Sequence, residues 1–178
     1  MSRPTRTEEL QFWFFGVQAL FILFMAVKLV VGAFMTGFYK GREGVSAVPE
    51  DAKLPGSKGI FEVKSGSMTQ RAQRVHGNDL ENFVVMFPLV IIFYMVCEIG
   101  RFKRDWQLIM NLSISSALYS LYILARLAHT ICYFLKLQPF RSMAYGIGIL
   151  MTVLLIVATF INFIFNLPYL DEELKPYE

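Results

Sequence analysis

RAQRVHGNDLENFVVMFP, residues 71–88, joins a strongly polar half to an apolar half with no Gly-Pro punctuation between them. On a helix, Arg71, Arg74, Asn78 and Glu81 follow the i, i+3, i+4 rhythm and share one face. A soluble helix could carry that stripe as a solvated surface. Here it leads directly into residues 83–97, an apolar run ending in IIFYMVC. Two guanidiniums, an amide and a carboxylate therefore stand at the mouth of a buried bundle, where polar groups are costly and usually functional.

The composition points to lipid as the surrounding medium. Hydrophobic residues make up 55% of the 178, and phenylalanine alone counts 17. A globule of that size could not hide so much apolar surface. Cys97 and Cys132 both fall in apolar segments and read as buried reduced thiols, not as a disulfide framework or metal site. The net charge of +3 is modest, and no basic run with interleaved aromatics suggests nucleic acid. No Gly-rich phosphate loop, CxxC or HExxH occurs, so metals, nucleotides and haem have no sequence support.

Outward from the opening stretch, the chain resolves into four crossings, over about 10–36, 70–97, 106–134 and 140–165. Each reaches the roughly 20 residues that a hydrocarbon core requires. The expected fold is all-α, an integral membrane four-helix bundle forming one domain over 1–178. Trp13 and Tyr39 flank the first crossing as interface aromatics. Lys28 lies well inside it, either snorkelling to the interface or facing a polar cavity between helices. Residues 37–69 form the one long polar loop, with a short helix expected to open at Pro49. Pro88 should kink the second crossing. A charged connector, EIGRFKRD (98–105), precedes the third, and KLQP (136–139) turns into the fourth. The fourth is almost purely apolar beyond Tyr145, and the acidic tail NLPYLDEELKPYE is expected to order only if something docks it. The two connectors on the loop side carry nine Lys/Arg against six on the other, which places the loop in the cytosol.

The third and fourth crossings repeat the polar anomaly of the second. Arg126, Thr130 and Tyr133 recur at i, i+4, i+7 with His129 beside them, and Arg141, Ser142 and Tyr145 open the last crossing. All three sets fall at the level of the long loop. Arg71, Arg74, Arg126 and Arg141 face only Glu81, Asp79 and Asp51 as acids. Surplus arginines beside a lone carboxylate suit a small anion that also carries an ammonium, such as glutathione, because arginine forks grip carboxylates bidentately. The bland alternative stays open: intramembrane Arg–acid pairs can simply lock helices together, and His129 or Tyr133 can be satisfied core groups. His76 points away from the stripe and reads as packing.

These residues carry a family resemblance. RVHGNDLEN (74–82) resembles the RAHxNDLEN signature of the MAPEG superfamily, membrane-associated proteins of eicosanoid and glutathione metabolism. ARLAHTICY (125–133), QPFRSMAY (138–145) and FYKGREGVSAVPEDA (38–52) extend it over most of residues 28–149. The resemblance implies a homotrimer with glutathione held between subunits and no metal. Position by position, it makes Lys40, Arg74, Asn78, Glu81, Arg126, His129, Tyr133, Arg141, Ser142 and Tyr145 glutathione-binding. It makes Arg141 the stabiliser of the thiolate, with Ser142 beside it, and Asp51 a loop aspartate shared with catalytic members.

The implied activity is a membrane glutathione transferase acting on hydrophobic electrophiles from the bilayer, with peroxidase activity on lipid hydroperoxides. The implied address is the endoplasmic reticulum, with the mitochondrial outer membrane as a second, and the site facing the cytosol. The family's other branch, prostaglandin E synthase, is similar in Asp51 and the Arg141–Ser142 pair. It usually has arginine where this chain has Gly77, and the transferase branch usually has alanine at position 142. A non-catalytic lipid-binding scaffold and a small transporter are the alternatives from other classes.

Overall fold

A computed structural model describes residues 4–173 apart from 47, 54, 56 and 100–104; side chains are described to residue 168, except at 99. Four helices account for nearly all of it: α1 (Arg6–Glu43), α2 (Met68–Ile99), α3 (Asp105–Leu135) and α4 (Phe140–Glu173). All four are long and apolar enough to cross a membrane. Each helix outruns the crossing read from the sequence. The hydropathy of a segment marks only its lipid-facing length, whereas caps and charged turns prolong the helix into the headgroups.

The ends have identifiable causes. Thr5 caps α1 in a reciprocal capping box with Glu8, and Gly44 ends the helix at φ 73°. A side chain at Gly44 would also collide with the Lys58 stem, whose Cγ lies 2.6 Å from the position a Cβ would take. The short 3-10 helix Pro49–Lys53 opens at the expected proline. Glu43, at the end of α1, accepts from the Met68 N–H at 2.9 Å and the Thr69 N–H at 3.4 Å, closing the open end of α2. α3 stops where Lys136 takes a left-handed conformation, φ 63°, and the Leu137 N–H returns to the Cys132 carbonyl at 2.9 Å.

Helix α2 continues through Pro88 without a break. α4 likewise continues through Pro168 to Glu173, so the first half of the tail is helix instead of a dangling segment. Residues 174–178 and most of the charged connector lie outside the described residues.

The helices run up, down, up and down. Thr7 at the start of α1 donates to Asp105 at the start of α3 (2.8 Å), whereas Glu43 ties the end of α1 to the start of α2. α3 packs chiefly on α4 and α1 chiefly on α2, and α1 and α4 sit diagonally. The core gathers Phe14, Phe21, Phe93, Tyr122 and Leu155 among others. Phe21 stacks on Tyr119 with centroids 4.3 Å apart. Outside, Val30, Phe34, Val84 and Phe165 are each about 70% exposed. That apolar sheath would be untenable in water and is ordinary against lipid.

The half of the bundle away from the loop is cross-linked by amides. Asn111 donates to Asn162 at 3.0 Å, Gln107 to Asn166 at 3.2 Å, and Asn166 to the Val96 carbonyl at 2.6 Å. Tyr119 donates to Gln18. Such bonds hold helices together where no hydrophobic drive exists between them.

Candidate functional site

The end of α1, the start of α2, the end of α3 and the start of α4 meet at the loop end of the bundle, so the three polar sets do share one level. Arg71 at the start of α2 shows it directly: its Nη1 donates to the Tyr133 carbonyl on α3 at 3.0 Å, and its Nε to the Gly66 carbonyl at 3.3 Å. That arginine is spent on bracing the loop to the bundle.

Arg141 is half-buried, with its guanidinium carbon 4.7 Å from the Tyr133 ring centroid. Its Nε lies 3.0 Å from the side-chain amide of Gln138, and that amide is also 3.2 Å from Ser142 Oγ. With the amide oxygen toward the guanidinium and its NH2 toward the hydroxyl, one glutamine holds both residues. Nε and Nη2 of Arg141 turn to Gln138, and Nη1 stays outside that contact. His129 lies within the same aromatic group, 5.8 Å between ring centroids from both Tyr133 and Tyr145. Its Nδ1 is buried without a hydrogen-bond partner among the described residues.

One helical turn deeper sits an ionic cluster. Asp79 on α2 accepts from Arg126 on α3 at 2.8 Å and pairs through its other oxygen with Lys28 on α1. Lys28 thus faces a polar interior instead of reaching for the interface. Arg126 is completely buried, with a longer contact to Asn78 Oδ1 at 3.4 Å, and its Nε and Nη1 have no partner among the described residues. Asn78 also receives the Asn82 amide on its carbonyl at 2.6 Å.

The remaining candidates are spread out. Arg74 and Glu81 are exposed on the outer face of α2, with no ion pair to each other among the described residues. Asn78 and Lys40 are half-buried, and Asp51 is half-buried in the 3-10 helix, its N–H donating to the Val48 carbonyl. His76 packs its ring on Gly32 with Nδ1 unpartnered. A single chain therefore unites Arg141, Ser142, Tyr133, His129 and Tyr145 at one corner and Arg126 with Asn78 beneath it. It does not bring Lys40, Asp51, Arg74 or Glu81 into that corner.

Two residues outside the expected set hold it together. Gln138 positions Arg141 and Ser142, and Asp79 neutralises Arg126. A signal existed for Gln138, the i−4 neighbour of Ser142, whereas the inward direction of Asp79 followed only once the structure placed Arg74 and Glu81 outside. Among the described residues no cluster of His, Cys, Asp and Glu could hold a metal ion. What the corner offers is a half-buried cation, a hydroxyl and an imidazole, groups able to bind and stabilise a carboxylate or thiolate.

The bundle and its loop-end polar corner define a known class. The family model of MAPEG matches residues 16–161, and the chain belongs to that family as an integral, multi-pass membrane protein. Among its relatives, prostaglandin E synthase of Bos taurus is 28% identical over 125 residues, 70% of this chain and 72% of that protein. The Homo sapiens protein of that name is also 28% identical over 125 residues, covering 70% and 73%. Microsomal glutathione S-transferase 1 of Bos taurus is 29% identical over 116 residues, covering 64% and 67%.

Proposed function

We propose that this protein is a membrane-bound glutathione transferase, joining glutathione to hydrophobic electrophiles and reducing lipid hydroperoxides as a second reaction. Glutathione is the co-substrate in this reading, and the electrophile arrives from the bilayer. The observation that carries it is Arg141: half-buried, stacked on Tyr133, steadied by Gln138, and adjacent to Ser142. A thiol becomes a useful nucleophile only as thiolate, and a fixed cation beside the sulfur lowers its pKa. Arg141 is suited to that task, with Ser142 donating a hydrogen bond. Membership of the family and the names of its relatives support glutathione as the thiol.

The exposed placement of Arg74 and Glu81 bears on assembly. Both lie on the outer surface of α2, so a ligand gripped by them and by the Arg141 corner requires a second copy to close the pocket. A homotrimer with glutathione between subunits, opening to the cytosol in the endoplasmic reticulum, satisfies that requirement. In it Lys40 and Asp51 meet the ligand from a neighbouring copy, while Arg126 and Asn78 support the pocket from beneath.

A second reading has a specific support. Ser142 and Asp51 match the prostaglandin E synthase branch, and relatives of that name are as similar as the transferases. One preparation decides between them. Given a chloro-dinitro aromatic, a lipid hydroperoxide and prostaglandin H2, a transferase consumes thiol with the first two. An isomerase converts the third and leaves glutathione undiminished. Absence of any glutathione-dependent product ends both readings in favour of a scaffold or transporter.

A further inference from the structure

A cavity of about 280 Å³ lies inside the single chain, between α1, α2 and α3. Its walls are apolar (Met35, Ala72, Val75, Phe134), and Val31 and Leu127, 52% and 40% exposed, form its rim toward the bilayer. Lys28 and Asp79 line it, with side chains only 9% and 3% exposed. Its α3 wall is Leu127, Thr130 and Phe134, a face next to the one that carries His129 and Tyr133 into the Arg141 corner, and Arg126 lies between the two, paired with Asp79.

We propose that this cavity is a second binding site, for a compact apolar carboxylate such as a medium-chain fatty acid whose head group pairs with Lys28. Charge complementarity selects the occupant. Two buried cations share one carboxylate, and each Asp79 oxygen is already engaged, one by Lys28 and one by Arg126. Among the described residues no second acid reaches either group, so two basic side chains share a single carboxylate in a low-dielectric interior. An ammonium has three N–H donors, and Asp79 takes one. Of the two basic groups, Lys28 borders the cavity, whereas Arg126 has no exposed surface. A carboxylate supplies the missing charge, and its short apolar body fills walls that contain no other cation. A cationic or purely hydrocarbon guest leaves the second basic group uncompensated.

The test uses the full-length protein in nanodiscs of zwitterionic lipid. Octanoate binding is measured directly, and a diazirine analogue of octanoate maps the contact by photolabelling. The site predicts saturable binding, labels on Val31, Val75 or Leu127, and a loss of about tenfold or more in Lys28→Met. That variant leaves Arg126 and Asp79 as a balanced pair, so it should fold. Lys28→Arg should keep binding, and Val75→Phe, which fills the cavity, should abolish it. Octan-1-ol should compete poorly. Equal affinity for octanoate in wild type and Lys28→Met, labels confined to other helix faces, or octan-1-ol competing as well as octanoate would each overturn the proposal. None of these readouts depends on glutathione activity, so failure here and failure of the transferase reading are distinct results.

Discussion

Asp79 Oδ1 accepts a hydrogen bond from Arg126 Nη2 at 2.8 Å, linking the second helix to the third inside the membrane-spanning part of the bundle. The same carboxylate holds Lys28 of the first helix, so one acid joins three helices. The cluster is a structural hub as well as the floor of the candidate site.

Removing that acid should be severe. Asp79→Leu leaves two buried cations with no counter-charge, and breaking a buried pair by deleting one partner costs roughly 3–5 kcal/mol. The expected outcome is a large loss of thermal or detergent-unfolding stability. The triple variant Asp79→Leu, Lys28→Met, Arg126→Met should regain most of it, because apolar replacement of a whole buried cluster is often neutral. A triple variant as unstable as Asp79→Leu alone would show that shape, not charge, is at stake.

Gly32 should tolerate no side chain while His76 is present. A Cβ there would lie 2.9 Å from His76 Nδ1, too close without movement. Gly32→Ala is expected to cost about 1–3 kcal/mol, the usual penalty of overpacking. His76→Ala should absorb most of that cost. A double-mutant cycle on unfolding midpoints reads the coupling, and additive effects would place the two residues apart.

Gln138→Ala should act on turnover. Its amide steadies both Arg141 and Ser142, and a misplacement of about 1 Å can cost up to roughly 10²-fold in rate. In a glutathione-dependent assay kcat should fall at least several-fold with KM for glutathione little changed. Arg141→Ala should cut kcat far more while glutathione still binds. Gln138→Glu should rescue part of the loss. A KM effect alone would assign Gln138 to ligand binding.

Glu43 should make the loop anchor sensitive to acid. Its partial burial pushes the carboxyl upward, but donors at Thr69, Met68 and Ser67 at the start of α2 outweigh this and hold it below the ordinary carboxylate value. With the folded value depressed, the stabilisation is fully present above the unfolded carboxyl's pKa. It is lost as pH falls through the folded one. Hydrogen exchange of the α2 N-terminal amides, followed from neutral to acid pH, should show protection falling in that window. Glu43→Gln should flatten the pH dependence and cost about 1 kcal/mol, the usual value of a helix cap.

Membrane class, four crossings and the level of the polar residues were all legible in the chain. Each follows from local quantities: length of apolar runs, helical spacing and the position of charges along a segment. The 3-10 helix at Pro49 and the interior orientation considered for Lys28 were legible for the same reason. The reach of the helices was not, since α4 passes Pro168 and the acidic residues beyond it. Nor was the amide lattice of the far half, where Asn162 sits in a crossing that scans as almost purely apolar and Asn166 opens the tail.

The sequence alone determined that arginines, a histidine and tyrosines would gather at one end of a lipid-embedded bundle, because helical periodicity and hydropathy are set residue by residue. Which of those arginines remain available was decided by tertiary structure. Asp79 claims Arg126, backbone carbonyls claim Arg71, and Gln138 steadies Arg141 through Nε and Nη2, leaving its Nη1 outside that contact. Pairing of that kind depends on distances between helices far apart in the chain, and spacing along a single helix carries no record of them.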